Sequence, residues 1–94
     1  MIKSNFFNNK KILVTGGAGF IGGAFIEKLL YESSSRLFNL DKLSYASNTE
    51  RFDLIFKNNP NLLKRYQFLN FDLINHDLLN KTIKKIEPDL IVHF

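Results

Sequence analysis

All five glycines of this chain lie between Gly16 and Gly23, in the stretch GGAGFIGG, with KILVT directly before it and AFIEKLL directly after it. Glycine loses much backbone entropy on folding and packs no side chain, so such a cluster marks a place where side chains would obstruct. The run Ile12-Leu13-Val14-Thr15 is short, continuous and rich in β-branched residues, the pattern of a strand buried on both faces of a parallel sheet. From Gly19 the period becomes helical. Ile21, Phe25 and Leu29 recur at four-residue steps, Ile26 and Leu30 widen the stripe, and Glu27 and Lys28 turn away from it. The helix is expected to end near Glu32, where Ser33-Ser34-Ser35 interrupts the pattern.

The same alternation continues. Leu37-Phe38-Asn39-Leu40 reads as a second strand closing on Asp41, followed by the loop Asp41–Asn48 (DKLSYASN). Thr49 is placed to cap a short helix through Phe56, stopped by Asn58-Asn59-Pro60-Asn61. Tyr66–Leu73 reads as a third strand. Asn75 is a cap for a third helix with Leu79, Thr82, Ile83 and Ile86 as its buried stripe and Pro88 as its stop. Asp89–Phe94 makes a fourth strand. Helical crossovers join parallel strands and are nearly always right-handed. The expected fold is therefore α/β: the first half of a Rossmann-type doubly wound sheet, strand order 3-2-1-4, with three crossover helices. Residues 1–10 stand before the first strand as an N-terminal extension.

Composition narrows the function classes. Without cysteine there is no disulfide framework, no thiolate chemistry and no cysteine zinc site. His76 and His93 lack ligand spacing and read as structural or surface residues, so no metal site is expected. The start, MIKSNFFNNKK, lacks the apolar core of a signal peptide, and no stretch has the length of a membrane span. A soluble, cytoplasmic protein is expected, with no membrane partner. The net charge of +4 is carried partly by Lys3, Lys10, Lys11, Lys81, Lys84 and Lys85, which read as solvated faces. No nucleic-acid module accompanies them, so no nucleic-acid partner is expected.

Two glycine spacings coexist: Gly17, Gly19 and Gly22 form G-x-G-x-x-G, and Gly16, Gly19 and Gly22 form G-x-x-G-x-x-G. In a dinucleotide site Gly16 would permit the tight turn off the strand. Gly19 would let the helix start approach a pyrophosphate, and Gly22 would let the helix pack on the strand. The helix N-terminus offers unpaired N–H groups and partial positive charge to the phosphates. No G-K-[ST] ending follows, so the motif is not a mononucleotide P-loop. Asp41, 19 residues beyond Gly22, stands where a carboxylate binds the adenosine ribose. A carboxylate there accepts from both ribose hydroxyls and repels a 2′-phosphate, which favours NAD over NADP; the neighbouring Lys42 offsets part of that repulsion. Asp72, at the end of the third strand, is placed to accept from the adenine amino group beside Leu73, and is equally consistent with a solvated turn carboxylate.

These residues together resemble a known family. TGGAGFIG resembles the glycine motif of extended short-chain dehydrogenase/reductases that act on nucleotide sugars. DKLSYASN is similar to the DKLTYAGN segment of dTDP-glucose 4,6-dehydratases, and FDL (71–73) and PDLIVHF (88–94) fall where that family has its D-I/D-L pair and fourth strand. Ser47 stands in place of a usual glycine and Gly23 in place of a common serine. The resemblance implies NAD as cofactor. It implies that Phe20 and Ile21 present backbone N–H groups to the pyrophosphate, and that Asp41 holds the ribose. Lys42, Leu43 and Ser44 would line the same end, and Asp72 and Leu73 would frame the adenine. It further implies a nucleotide-sugar substrate, a homodimer at full length, and a lyase reaction: oxidation at C4, loss of water across C5–C6 and hydride return to C6. That gives a 4-keto-6-deoxy sugar nucleotide.

The family's chemistry needs a Tyr-x-x-x-Lys pair, and Tyr31, Tyr45 and Tyr66 are not followed by lysine at that spacing. No catalytic residue is therefore expected here. Residues 1–94 read as a partial NAD-binding domain, a fragment inactive by itself, with the catalytic and substrate-binding part absent. Two other readings stay open: a related NAD-dependent epimerase or decarboxylase, and a non-catalytic NAD-binding module.

Overall fold

The computed structural model describes residues 6–42 and 50–94. Four parallel strands, β1 (Lys11–Thr15), β2 (Arg36–Leu40), β3 (Tyr66–Leu69) and β4 (Leu90–His93), form one sheet in the order β3-β2-β1-β4. Helices α1 (Phe20–Glu32), α2 (Glu50–Asn58) and α3 (His76–Ile86) make the three crossovers. This is the doubly wound half-sheet that the alternating pattern predicts. Register pairs Leu13 with Phe38 and with Ile91, and Thr15 with Leu40 and with His93, so all strands end along one edge.

Side chains alternate across a strand, and the two sheet faces are filled unequally. Ile12, Val14 and Leu37 join Ile26, Leu29 and Leu30 of α1 and Phe52 and Ile55 of α2 in one core cluster. No residue of α3 belongs to that cluster. The return from β3 across to β4 runs opposite to the first two crossovers, and right-handedness sends α3 to the other face. There Leu13 is fully buried while Ile91 is 54% exposed. No residue of α3 is buried; Leu79, Thr82, Ile83 and Ile86 are only half-covered, which corrects the expectation of a buried stripe.

Other corrections have equally local causes. β3 stops at Leu69 rather than Leu73, because its one partner, β2, ends at Leu40, the residue paired with Leu69. Ile21 is not part of the buried stripe of α1: it is 70% exposed, in the first turn, beyond the region that meets the sheet. The Asn-Pro cluster does end α2, and Pro60–Arg65 then forms a 3₁₀ helix with proline in its first turn. Its last residue, Arg65, donates through Nη1 to the Ser35 carbonyl (2.7 Å) and through Nη2 to the Leu30 carbonyl (2.6 Å). The guanidinium thus holds the exit of α1 against the entry of β2. Burial lowers its pKa, and it stays charged. Lys11 is not a solvated cation; its Nζ donates to the Ile86 carbonyl at 3.0 Å. Asn75 caps α3 by accepting from the Leu78 N–H, and Glu87, at φ 53°, closes the helix just before Pro88. Thr49 and the loop residues from Leu43 to Asn48 lie outside the described residues.

The N-terminal extension is partly built into the fold. The Phe7 ring meets Phe25 edge-on, with centroids 6.3 Å apart. Asn8 Oδ1 accepts from the Ser34 N–H (2.9 Å), and the Asn9 N–H donates to Ser34 Oγ (3.1 Å).

Candidate functional site

The edge where the parallel strands end is where α/β sheets bind ligands. Here β1 enters its turn through Gly16, whose φ of +78° is a left-handed value that disfavours other residues. The Gly16 N–H donates to the Leu40 carbonyl (2.9 Å), and its own carbonyl accepts from the Gly19 N–H (3.2 Å). Gly19 is the extended N-cap of α1, and the helix bond from the Gly23 N–H to the Gly19 carbonyl follows at 2.8 Å. The N-cap of this helix, a glycine, supplies no side-chain cap, and no acidic residue occupies the first turn. Its opening N–H groups, on Phe20, Ile21 and Gly22, therefore point at a site that a side chain would otherwise occupy.

The tightness of the turn is measurable at two glycines. A Cβ at Gly22 would run into the Gly16 carbonyl oxygen and lie 3.0 Å from Gly17 Cα. A Cβ at Gly17 would strike Asn39 Oδ1 and Ile26 Cδ1. Asn39, fully buried on β2, donates through Nδ2 to the Tyr66 hydroxyl (3.0 Å), and its Oδ1 has no hydrogen-bond donor among the described residues. That oxygen lies in the space that a Cβ at Gly17 would need. Burial pushes the Tyr66 hydroxyl's pKa up, with the Asn39 bond acting in the opposite sense.

Asp41 follows β2 and reaches back to the turn: the Ala18 N–H donates to its Oδ2 at 3.1 Å. Beside it opens a cleft of about 200 Å³ lined by Gly16, Leu40, Asp41, Lys42, Phe71, Asp72, Leu73, His93 and Phe94. Across the cleft rim Lys42 Nζ lies 3.8 Å from Asp72 Oδ2. Asp72 Oδ1 also accepts from the Ile74 N–H (3.1 Å), which fixes the turn between β3 and α3.

Gly16, Asp41, Lys42, Asp72 and Leu73, singled out in the sequence, thus converge on one cleft. Gly19, Phe20, Ile21 and Gly22 do not line it; they lie at the start of α1, tied to Gly16 through the Gly19 N–H, with the side chains of Phe20 and Ile21 facing solvent. Leu43 and Ser44 lie outside the described residues. Sequence reasoning missed Leu40, Phe71 and His93 as lining residues. His93 Nδ1 is hydrogen-bonded to Thr15 Oγ1, and the Phe94 N–H donates to the Thr15 carbonyl (2.9 Å). The signal was present in the sheet order: parallel pairing of β1 with β4 carries residues 93 and 94 to the lip beside Gly16. Among the described residues no group of His, Asp and Glu side chains is arranged to hold a metal ion. No helix there is long and apolar enough to cross a membrane.

Chemically, the arrangement sets a helix start, with its partial positive charge, near a carboxylate able to accept hydrogen bonds, with a cleft alongside. The family model described as GDP-mannose 4,6 dehydratase matches residues 13–94. The chain is 35% identical over 83 residues to a dTDP-glucose 4,6-dehydratase of Salmonella typhimurium, matching 88% of this chain and 22% of that protein. It is 39% identical to the Neisseria gonorrhoeae enzyme of the same name, over 89% of this chain and 23% of the relative. A crystal structure of dTDP-glucose 4,6-dehydratase from Bacillus anthracis in complex with NAD superposes with a TM-score of 0.73 at 33% identity, covering 90% of this chain and 26% of that one. The chain therefore spans less than a quarter of the length of these curated relatives.

Proposed function

The chain belongs to the GDP-mannose 4,6 dehydratase family, and on that premise we propose that it is the NAD-binding portion of a nucleotide-sugar 4,6-dehydratase acting on dTDP-glucose. The observation that carries the reading is the 3.1 Å bond from the Ala18 N–H to Asp41 Oδ2, which brings a carboxylate to the mouth of the glycine turn. The residues fit a dinucleotide. The turn has no room for a Cβ at Gly22, and the N-cap of α1 is a glycine that supplies no side-chain cap.

In this reading the main chain from Gly16 to Gly22 approaches a diphosphate, and the N–H groups of Phe20 and Ile21 donate to it. Asp41 orients the adenosine ribose by accepting from its hydroxyls while the Ala18 N–H holds the carboxylate in place. Asp72 and Leu73 frame the adenine in the cleft, with Lys42 on the same rim; Leu43 and Ser44 join them on the strength of the resemblance. Bound NAD supplies a two-electron acceptor that can return its hydride within one turnover. This chain's residues bind and orient. The groups that move protons on the sugar are proposed to come from outside residues 1–94, so the chain alone should give no turnover. A homodimeric, cytoplasmic whole protein is part of the same proposal.

The test is calorimetric titration of NAD into the whole protein and its Asp41→Ala variant. A hydrogen bond to a charged group is worth about 1.5–3 kcal/mol, so affinity should fall roughly 10- to 100-fold. Asp41→Asn, which keeps an acceptor for the Ala18 N–H, should fall less. Unchanged affinity in Asp41→Ala would remove the ribose role.

A further inference from the structure

Lys42 directly follows Asp41 in the chain, and its ammonium group is already engaged by another carboxylate. Its Nζ lies 3.8 Å from Asp72 Oδ2, across the rim of the cleft, with both side chains partly exposed. Asp72 is itself held in place, because its other oxygen accepts from the Ile74 N–H in the turn entering α3. Asp41, Lys42 and Asp72 all line the same cleft, so it carries two carboxylates and one ammonium group. A lysine next to a ribose-binding carboxylate would ordinarily neutralise a phosphate on that ribose. A lysine drawn toward a second carboxylate is a poorer partner for it.

We propose that Asp72 is a cofactor-selectivity residue acting through Lys42: by holding the ammonium group it withholds the cation from a ribose 2′-phosphate, and so tilts this site from NADP toward NAD. The inference rests on the NAD-site reading above. It assigns to Asp72 an effect separable from adenine contact, because both dinucleotides carry the same adenine and differ only in the 2′-phosphate. Loss of an adenine contact weakens both alike; release of Lys42 strengthens only the phosphorylated one. The pair is exposed, and exposed pairs are worth up to about 1 kcal/mol, which corresponds to roughly fivefold in an equilibrium constant. Its influence should also fade with ionic strength as solvent ions screen the charges.

The experiment titrates NAD and NADP separately into the whole protein, its Asp72→Asn and Lys42→Met variants, and the Asp72→Asn/Lys42→Met double variant. The readout is the ratio of the two affinities. Asparagine keeps the oxygen that accepts from the Ile74 N–H, so the turn persists; Asp72→Ser, whose hydroxyl also accepts from a nearby N–H, is the second probe. Asp72→Asn and Asp72→Ser should each shift the ratio toward NADP by roughly fivefold at low salt. High salt should shrink the shift, and the double variant should show the same ratio as the Lys42→Met single variant. A ratio unmoved by either Asp72 variant, or a shift that persists without Lys42, overturns the proposal while leaving NAD binding in place. A parent protein that binds neither dinucleotide overturns the NAD-site reading itself.

Discussion

Adjacent glycines of α1 should respond to the same substitution with opposite sign. A Cβ at Gly22 would run into the Gly16 carbonyl oxygen and come within 3.0 Å of Gly17 Cα and 3.1 Å of the Gly16 carbonyl carbon. All three are backbone atoms of the turn, so no rotamer change relieves the contact; the turn itself must open. Overpacking of a rigid site costs about 1–3 kcal/mol, and a backbone neighbour places Gly22→Ala near the upper end. Alanine in place of glycine inside a helix returns about 1 kcal/mol. The net expectation is destabilisation of about 2 kcal/mol. At Gly23 the nearest atoms to an added Cβ are the Gly17 carbonyl oxygen at 3.4 Å and Arg51 Cδ at 3.5 Å, ordinary contact distances. Gly23→Ala should therefore stabilise, by up to about 1 kcal/mol. Urea unfolding of the two variants beside the parent protein reads both signs, provided the slope with denaturant is unchanged. Equal shifts in the same direction would refute the claim that closure of the turn, rather than helix propensity, dictates glycine at position 22.

Arg65→Met removes the donor shared by the Leu30 and Ser35 carbonyls and should lower stability by about 2–3 kcal/mol, with Arg65→Lys recovering only part, since an ammonium group lacks the planar fork; urea midpoints decide it. Burial raises the pKa of Tyr66, so its contribution to stability is fully present below the ordinary value of about 10 and is lost as pH rises from there through the folded value. Melting temperatures between about pH 9 and 11 should fall more steeply for the parent protein than for Tyr66→Phe, and parallel curves would contradict this assignment.

The order of elements was legible because each strand and each helix carries its own period. β1, α1 and β2 announce themselves through runs such as Ile12–Thr15 and Ile26–Leu30, and one turn rule locates Asn75 as a cap. What escaped the sequence depends on partners distant along the chain. Tyr66–Leu73 has strand-like residues throughout, yet only the part that finds β2 alongside becomes strand. Ile21 obeys the helical period and is nevertheless exposed, because periodicity assigns a face and says nothing about where the neighbouring sheet stops. At the cleft, Gly16, Asp41 and Asp72 could be picked out from spacing and strand ends alone. The need for glycine at 17 could not, since it arises from the Asn39 and Ile26 side chains that only the folded chain brings there. Arg65 gave no sequence signal for its role: its two acceptors are main-chain carbonyls, which leave no trace in residue type.

The central position of β1 has a consequence for how such a unit is made. One of its sides pairs with β2 soon after in the chain, but the other waits for β4. The Lys11 N–H donates to Asp89 Oδ2 and the Asp89 N–H returns a bond to the Lys11 carbonyl, both at 2.8 Å, between residues 78 positions apart in the chain. Contacts between such distant positions slow folding, because the intervening loop must be closed before they form. During synthesis the first strand would leave the ribosome about 80 residues before its second neighbour, some 4–16 seconds at ordinary elongation rates. Through that interval one edge of the nascent sheet stands open to any passing strand, which makes the last pairing the step most exposed to error and the one where a chaperone's shelter would matter most.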